Sequence, residues 1–115
     1  MLLEKIKNKL EELDEFVYYG AVDTEVNEEL WNYIVFNRVK LQSNVSKNAF
    51  SDYFDVHIVR ENFIPEGLDE QVISRMLTIN GVRLASESSE FDYVRKSKTN
   101  SVVEMLTLHF VRARK

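Results

Sequence analysis

The chain has 115 residues, a net charge of −4, a pI near 5.2 and 44% hydrophobic residues, which is enough for one domain with a single core. It has no cysteine, so disulfides and thiolate metal centres are excluded, and the composition fits a reducing compartment or a particle assembled in one. Apolar runs are short and the start, Met1-Leu2-Leu3-Glu4-Lys5, turns charged at once, so neither a membrane span nor a signal-peptide core is expected.

Leu3, Ile6, Leu10, Leu13 and Val17 recur at helical spacing and predict an amphipathic helix over 2–16, with Gly20 after Tyr18-Tyr19 as its exit. Residues 21–30 are polar and acidic, a connecting segment. From Glu11 to Glu29 there are eight acids and no Lys or Arg. Trp31-Asn32-Tyr33-Ile34-Val35-Phe36 opens a strand over 31–42 that carries large apolar groups on both faces, so each face needs a cover. The odd positions Trp31, Tyr33, Val35, Val39 and Leu41 are the richer apolar set and are assigned to the core. Ile34 and Phe36 then project from an open face, beside Val103 and Met105 if the first and last strands are neighbours.

Residues 43–51 read as a long, turn-rich loop of low local stability. A second strand over 52–62 alternates Phe54, Val56 and Ile58 with Tyr53, Asp55 and His57. Pro65-Glu66-Gly67 starts a second helix over 68–80, with Leu68, Val72, Met76 and Ile79 on one face and Gly81 as its left-handed stop. Two further strands, 83–95 and 101–113, flank a basic tip formed by Arg95, Lys96 and Lys98. The last strand is apolar on both faces, with Val102, Leu106, Leu108 and Phe110 on one and Val103, Met105 and Val111 on the other. The expected fold is α+β, in the order α-β-β-α-β-β: a four-stranded, largely antiparallel sheet with both helices on one face.

Chemistry is sparse. His57, His109 and Asp55 would form a metal triad only if their strands were neighbours in matching register, and strand histidines on a half-exposed face are more often ordinary polar residues. No serine sits in a nucleophile elbow, and three glycines exclude a Gly-rich phosphate loop. The reading assigns no catalytic, cofactor or metal residue. The basic tip with Tyr93 is a small phosphate-and-stacking candidate. The acidic balance, the missing ribonucleoprotein signature and the helix-first order all disfavour nucleic acid.

The succession of an amphipathic helix, a Tyr-Gly break, Trp31-Asn32-Tyr33-Ile34-Val35-Phe36-Asn37, a long loop, Tyr53-Phe54-Asp55-Val56-His57-Ile58-Val59-Arg60, a second helix and a final hairpin resembles the small tail-terminator and tail-completion (tail-to-head joining) proteins of long-tailed bacteriophages and prophages. The resemblance implies a structural virion protein, not an enzyme, that forms a homo-oligomeric ring, commonly a hexamer. Such a ring caps the head-proximal end of the tail tube and joins it to the head connector or stopper protein, after assembly in the host cytoplasm. Ile34, Phe36, Val103 and Met105 are the expected apolar interface, and Arg95, Lys96 and Lys98 its charged part, meeting an acidic surface such as residues 11–29 of a neighbour. The competing reading is a generic non-enzymatic oligomeric interaction module.

Overall fold

The computed structural model describes residues 2–14, 16–20, 31–44, 46, 49–86, 88–95 and 102–114. Its elements are α1 (Leu2–Glu11), β1 (Val17–Tyr19), β2 (Tyr33–Asn44), β3 (Ala49–Glu61), α2 (Leu68–Leu77), β4 (Val82–Leu84), β5 (Glu90–Arg95) and β6 (Val102–Arg114). The class is α+β, with two helices and one mixed six-stranded sheet among the described residues in place of four strands. Its order is β1-β2-β3-β6-β4, and β5 also pairs with β6. The expectations for the acidic connector over 21–30 and for Lys96 and Lys98 of the basic tip lie outside the described residues.

α1 is shorter than its periodicity suggests, and Asp14 supplies the reason. The Leu13 N–H bonds back to Leu10 in a tightened last turn, and one Asp14 oxygen then accepts the Phe16 N–H at 3.0 Å, a local bond that competes with helix. Beyond it, Phe16-Val17-Tyr18-Tyr19 is uniformly aromatic or β-branched and suits a strand. β1 pairs in parallel with β2, Val17 opposite Ile34 and Tyr19 opposite Phe36. Val17 therefore does pack against the core, but from a strand. Gly20, at φ 82°, is the turn after β1 and not a helix exit.

β2 and β3 form one long hairpin. Ser43 pairs with Phe50 and Asn44 with Ala49, so most of the expected 43–51 loop is strand, and only 45–48 lie between the strands. A bulge between Arg38 and Lys40 shifts the register, so the parity of inward and outward positions changes partway along β2. The expected single strand over 83–95 is divided. Leu84 pairs with Phe110 and Glu90 with Thr107, so the residues between them outnumber the two they span on β6. The Ala-Ser-Glu-Ser-Ser run there has little strand preference.

Both helices cover the face carrying the even positions of β3 and β6. Leu2, Ile6 and Leu10 of α1 and Leu68, Val72 and Met76 of α2 pack on Ile34, Phe36, Phe54, Val56, Ile58, Leu106, Leu108 and Phe110. The Phe54 and Phe110 rings stack at 5.4 Å. α2 starts at Gly67 (φ 96°), where the Leu68 N–H bonds to the Pro65 carbonyl. It ends at Leu77, three residues before Asn80; Gly81 (φ 85°) serves the turn into β4 instead.

The face assignment of β2 is reversed from the sequence expectation. Ile34 and Phe36 are 0% and 2% exposed in the core, whereas Val39 and Leu41 are 52% and 54% exposed. Counting apolar residues at odd positions failed for two reasons: Trp31 precedes the strand, and the bulge takes Val39 and Leu41 out of step with Tyr33 and Val35. We therefore expect Phe36→Ala to lower unfolding free energy by about 3–5 kcal/mol, while Val39→Lys shifts it by no more than about 0.5 kcal/mol. Urea denaturation of the two variants checks both values, and equal losses would contradict the assignment.

Candidate functional site

The face of the sheet opposite the helices carries the polar chemistry of the chain. Because β3 lies between β2 and β6 in continuous antiparallel register, Val35, His57 and Thr107 form one cross-strand row and Asn37, Asp55 and His109 the next. No helix among the described residues packs there. Val59, Val103 and Val111 are nevertheless buried, apart from the main core cluster, and Met105 is half-buried opposite Val59. Tyr18 meets Tyr33 edge to face at 6.0 Å, and the Lys40 ammonium sits 4.6 Å over the Tyr53 ring.

Two hydrogen-bonded chains cross this face. His57 Nε2 is 2.8 Å from Asn37 Oδ1, and His57 Nδ1 is 2.9 Å from Thr107 Oγ1. The amide oxygen only accepts, so Nε2 carries a proton, and a neutral ring then accepts the Thr107 hydroxyl at Nδ1. Burial, together with nearby His109, lowers the His57 pKa against the opposing pull of Asp55, in keeping with that neutral form.

His109 has the opposite character. Its Nδ1 lies 2.7 Å from Asp55 Oδ1 and its Nε2 2.8 Å from Glu90 Oε2. Both contacts are hydrogen bonds at once only when both nitrogens donate, which makes the ring an imidazolium. Burial alone would lower its pKa, but the hydrogen bonds and charges of Asp55 and Glu90 outweigh it and the net shift is upward.

The strands of His57, His109 and Asp55 are thus neighbours in matching register, the condition for a metal triad. Their donor atoms do not converge, however: each ring nitrogen already faces a different partner. Among the described residues no group of three or more His, Cys, Asp or Glu side chains is placed to hold a metal ion. Thr107, His57 and Asn37 are in the order of nucleophile, base and orienting group. β3 and β6 are each paired on both sides around this row, so their backbone N–H groups are engaged in the ladders and none is left as an oxyanion-hole donor.

The expected interface residues are not brought together. Ile34 and Phe36 face the helices, Val103 and Met105 the other side, and β3 separates β2 from β6. Arg95 is exposed at the end of β5. Part of the acidic run is used internally: Asp14 pairs with the mostly buried Arg60 at 2.7 Å, and Glu12 with Arg75 at 3.4 Å. Arg60 also donates to the Tyr33 and Val59 carbonyls, tying the end of α1 to β2 and β3. Asn37, Thr107 and Glu90 were missed by sequence reasoning, since only the register reveals them as histidine partners.

The edges of the sheet complete the picture. β5 is exposed along its whole length, including Phe91, Tyr93 and Val94, and among the described residues it pairs only with β6. At the opposite edge β1 covers only Ile34 to Phe36, so among the described residues, 37–44 of β2 pair with β3 on one side and have no strand on the other. Compared with known proteins, the chain matches no protein-family model and no curated protein.

The two histidines give opposite pH dependences. His109 has a folded pKa above its ordinary 6.5, so its stabilisation is full below about 6.5 and is lost as pH rises through the elevated value. His57 has a folded pKa below 6.5, so stability falls as pH drops from 6.5 toward the depressed value. Urea unfolding across the histidine range is expected to show His109→Gln losing the decline on the alkaline side and His57→Gln losing the decline on the acid side. Unchanged slopes in both variants would contradict the assigned protonation states.

Proposed function

We propose that the protein is a non-enzymatic structural subunit that assembles edge to edge into a closed ring, most economically as the tail-terminator or tail-completion component of a long-tailed phage or prophage. The observation that carries the assembly reading is the pair of unlike sheet edges. An exposed edge strand bearing Phe91, Tyr93 and Val94 is a template for pairing with another chain, and no proline blunts it. The half of β2 that is open among the described residues offers the complementary edge, and its Lys40, on the helix-free face, suits the Glu90 and Asp92 of β5 on that same face. Contacts between two different edges are heterologous, and such contacts close into rings when the rotation per subunit allows.

The phage assignment rests on the likeness in element order and texture. In that role a ring, hexameric by the same likeness, caps the tail tube and meets the connector or stopper protein, so the protein belongs to the tail of the virion after assembling in the host cytoplasm. Ile34 and Phe36 have no part in this interface, because they are core residues. Val94 and Arg95 on β5 take their place, with Met105 on the helix-free face behind them.

Electron microscopy of the concentrated protein tests the reading. Rings are expected for the parent, together with capping of purified tail tubes. Phe91→Lys combined with Val94→Lys is expected to abolish rings while leaving the thermal midpoint close to that of the parent, since both side chains are exposed. A parent that stays monomeric, with and without tube ends, would contradict it.

A further inference from the structure

On the helix-facing side, past the apolar core, the distal ends of three strands bring together an unusual set of charges. Arg38 of β2, Asp52 of β3 and Arg112 and Arg114 of β6 line a cleft of about 140 Å³ with Leu2 and Leu3 of α1. The register explains the convergence: Asp52 is the direct partner of Arg112, and Arg114 is the next residue of β6 on that face.

Three guanidinium groups here face one carboxylate. Asp52, mostly buried, receives Arg114 Nη2 at 2.8 Å and Arg112 Nη2 at 3.2 Å, so both its oxygens are engaged. Arg38 donates through Nε to the Tyr19 hydroxyl at 3.1 Å, a neutral partner, and pairs with no carboxylate among the described residues. Arg112 Nε is fully buried and has no hydrogen-bond partner among the described residues. A buried donor left unsatisfied costs roughly 1–3 kcal/mol, and it lies in a group that also carries excess positive charge. The start of α1 borders the same cleft, and the positive end of a helix dipole favours the same sign of ligand.

We infer that this cleft is a binding site for a phosphate-class oxyanion, held by Arg112 from below and by Arg38 and Arg114 from the sides. The cluster has two positive charges more than Asp52 neutralises, which matches a dianion. Guanidinium groups arriving from two strands, Arg38 from β2 and Arg112 and Arg114 from β6, suit a tetrahedral set of oxygens better than a single planar carboxylate. The site is on the face opposite the histidine networks, and of its residues Arg38 alone belongs to the open stretch of β2.

Titration of the full chain with inorganic phosphate, followed by the side-chain Nε–H resonances of arginine, tests the inference. A saturable shift of the Arg112 Nε–H is expected with phosphate, and none with sodium chloride at matched ionic strength. Arg38→Met and Arg114→Met, both changes at the open side of the cleft, are expected to weaken phosphate binding by about tenfold each, the loss of one charge-assisted hydrogen bond. Their unchanged amide spectra elsewhere would show that the fold is intact. If the Arg112 resonance does not respond, or responds equally to chloride, or responds identically in both variants, the cleft holds only water and the inference is overturned.

Discussion

The register of β3 between β2 and β6 is the constraint on which the rest of this structure depends. Phe54, Val56 and Ile58 must meet the helices, and the intervening Tyr53, Asp55 and His57 must then face away. A slip of one residue would drive Asp55 and His57 into an apolar core and lift three large hydrophobes to the other side. With β3 fixed, the neighbouring strands have no freedom: Ile34 and Phe36 are inside because Ile58 and Val56 are opposite them, and Leu106, Leu108 and Phe110 follow on β6.

The two faces use this constraint differently. On the helix side, packing of aromatic and aliphatic side chains supplies the driving force, and hydrophobic burial of this kind tolerates some adjustment. On the other side, His57 to Thr107 and His109 to Asp55 are direct cross-strand partners, and these bonds form only in the observed pairing. The polar face therefore discriminates among registers, while the apolar face provides most of the stability. At the distal end the same alternation places Asp52 and Arg112 side by side, so the charged cleft is a consequence of the register as well.

Much of the fold was legible from local patterns. The alternation in 52–62, the helical stripe Leu68, Val72 and Met76, and the two-faced last strand all correspond to observed elements and burial, while Ile79 is buried just beyond the helix. What escaped were features set by tertiary pairing. Val17 fits a helical period and is half-buried, yet Asp14 and the bulky run after it make that segment a strand. The bulge beside Val39 is silent in the sequence and reverses the side to which an apolar count points. The histidine partners and the arginine cleft each draw on three or more strands, so no spacing within one segment announces them. Arg95 alone of the expected basic tip lies within the described residues.

Among the described residues β5 and the second half of β2 each leave a sheet edge open, and the proposed edge pairing would satisfy both without any new chemistry. That link between the sheet edges and assembly is tested most directly by residue-resolved amide hydrogen exchange in dilute and assembled protein. The account predicts that β3 amides exchange slowly in both states, whereas the β5 amides pointing away from β6 exchange fast when dilute and become protected on assembly. Assembled protein in which those β5 amides remain as fast as in the dilute state would contradict it.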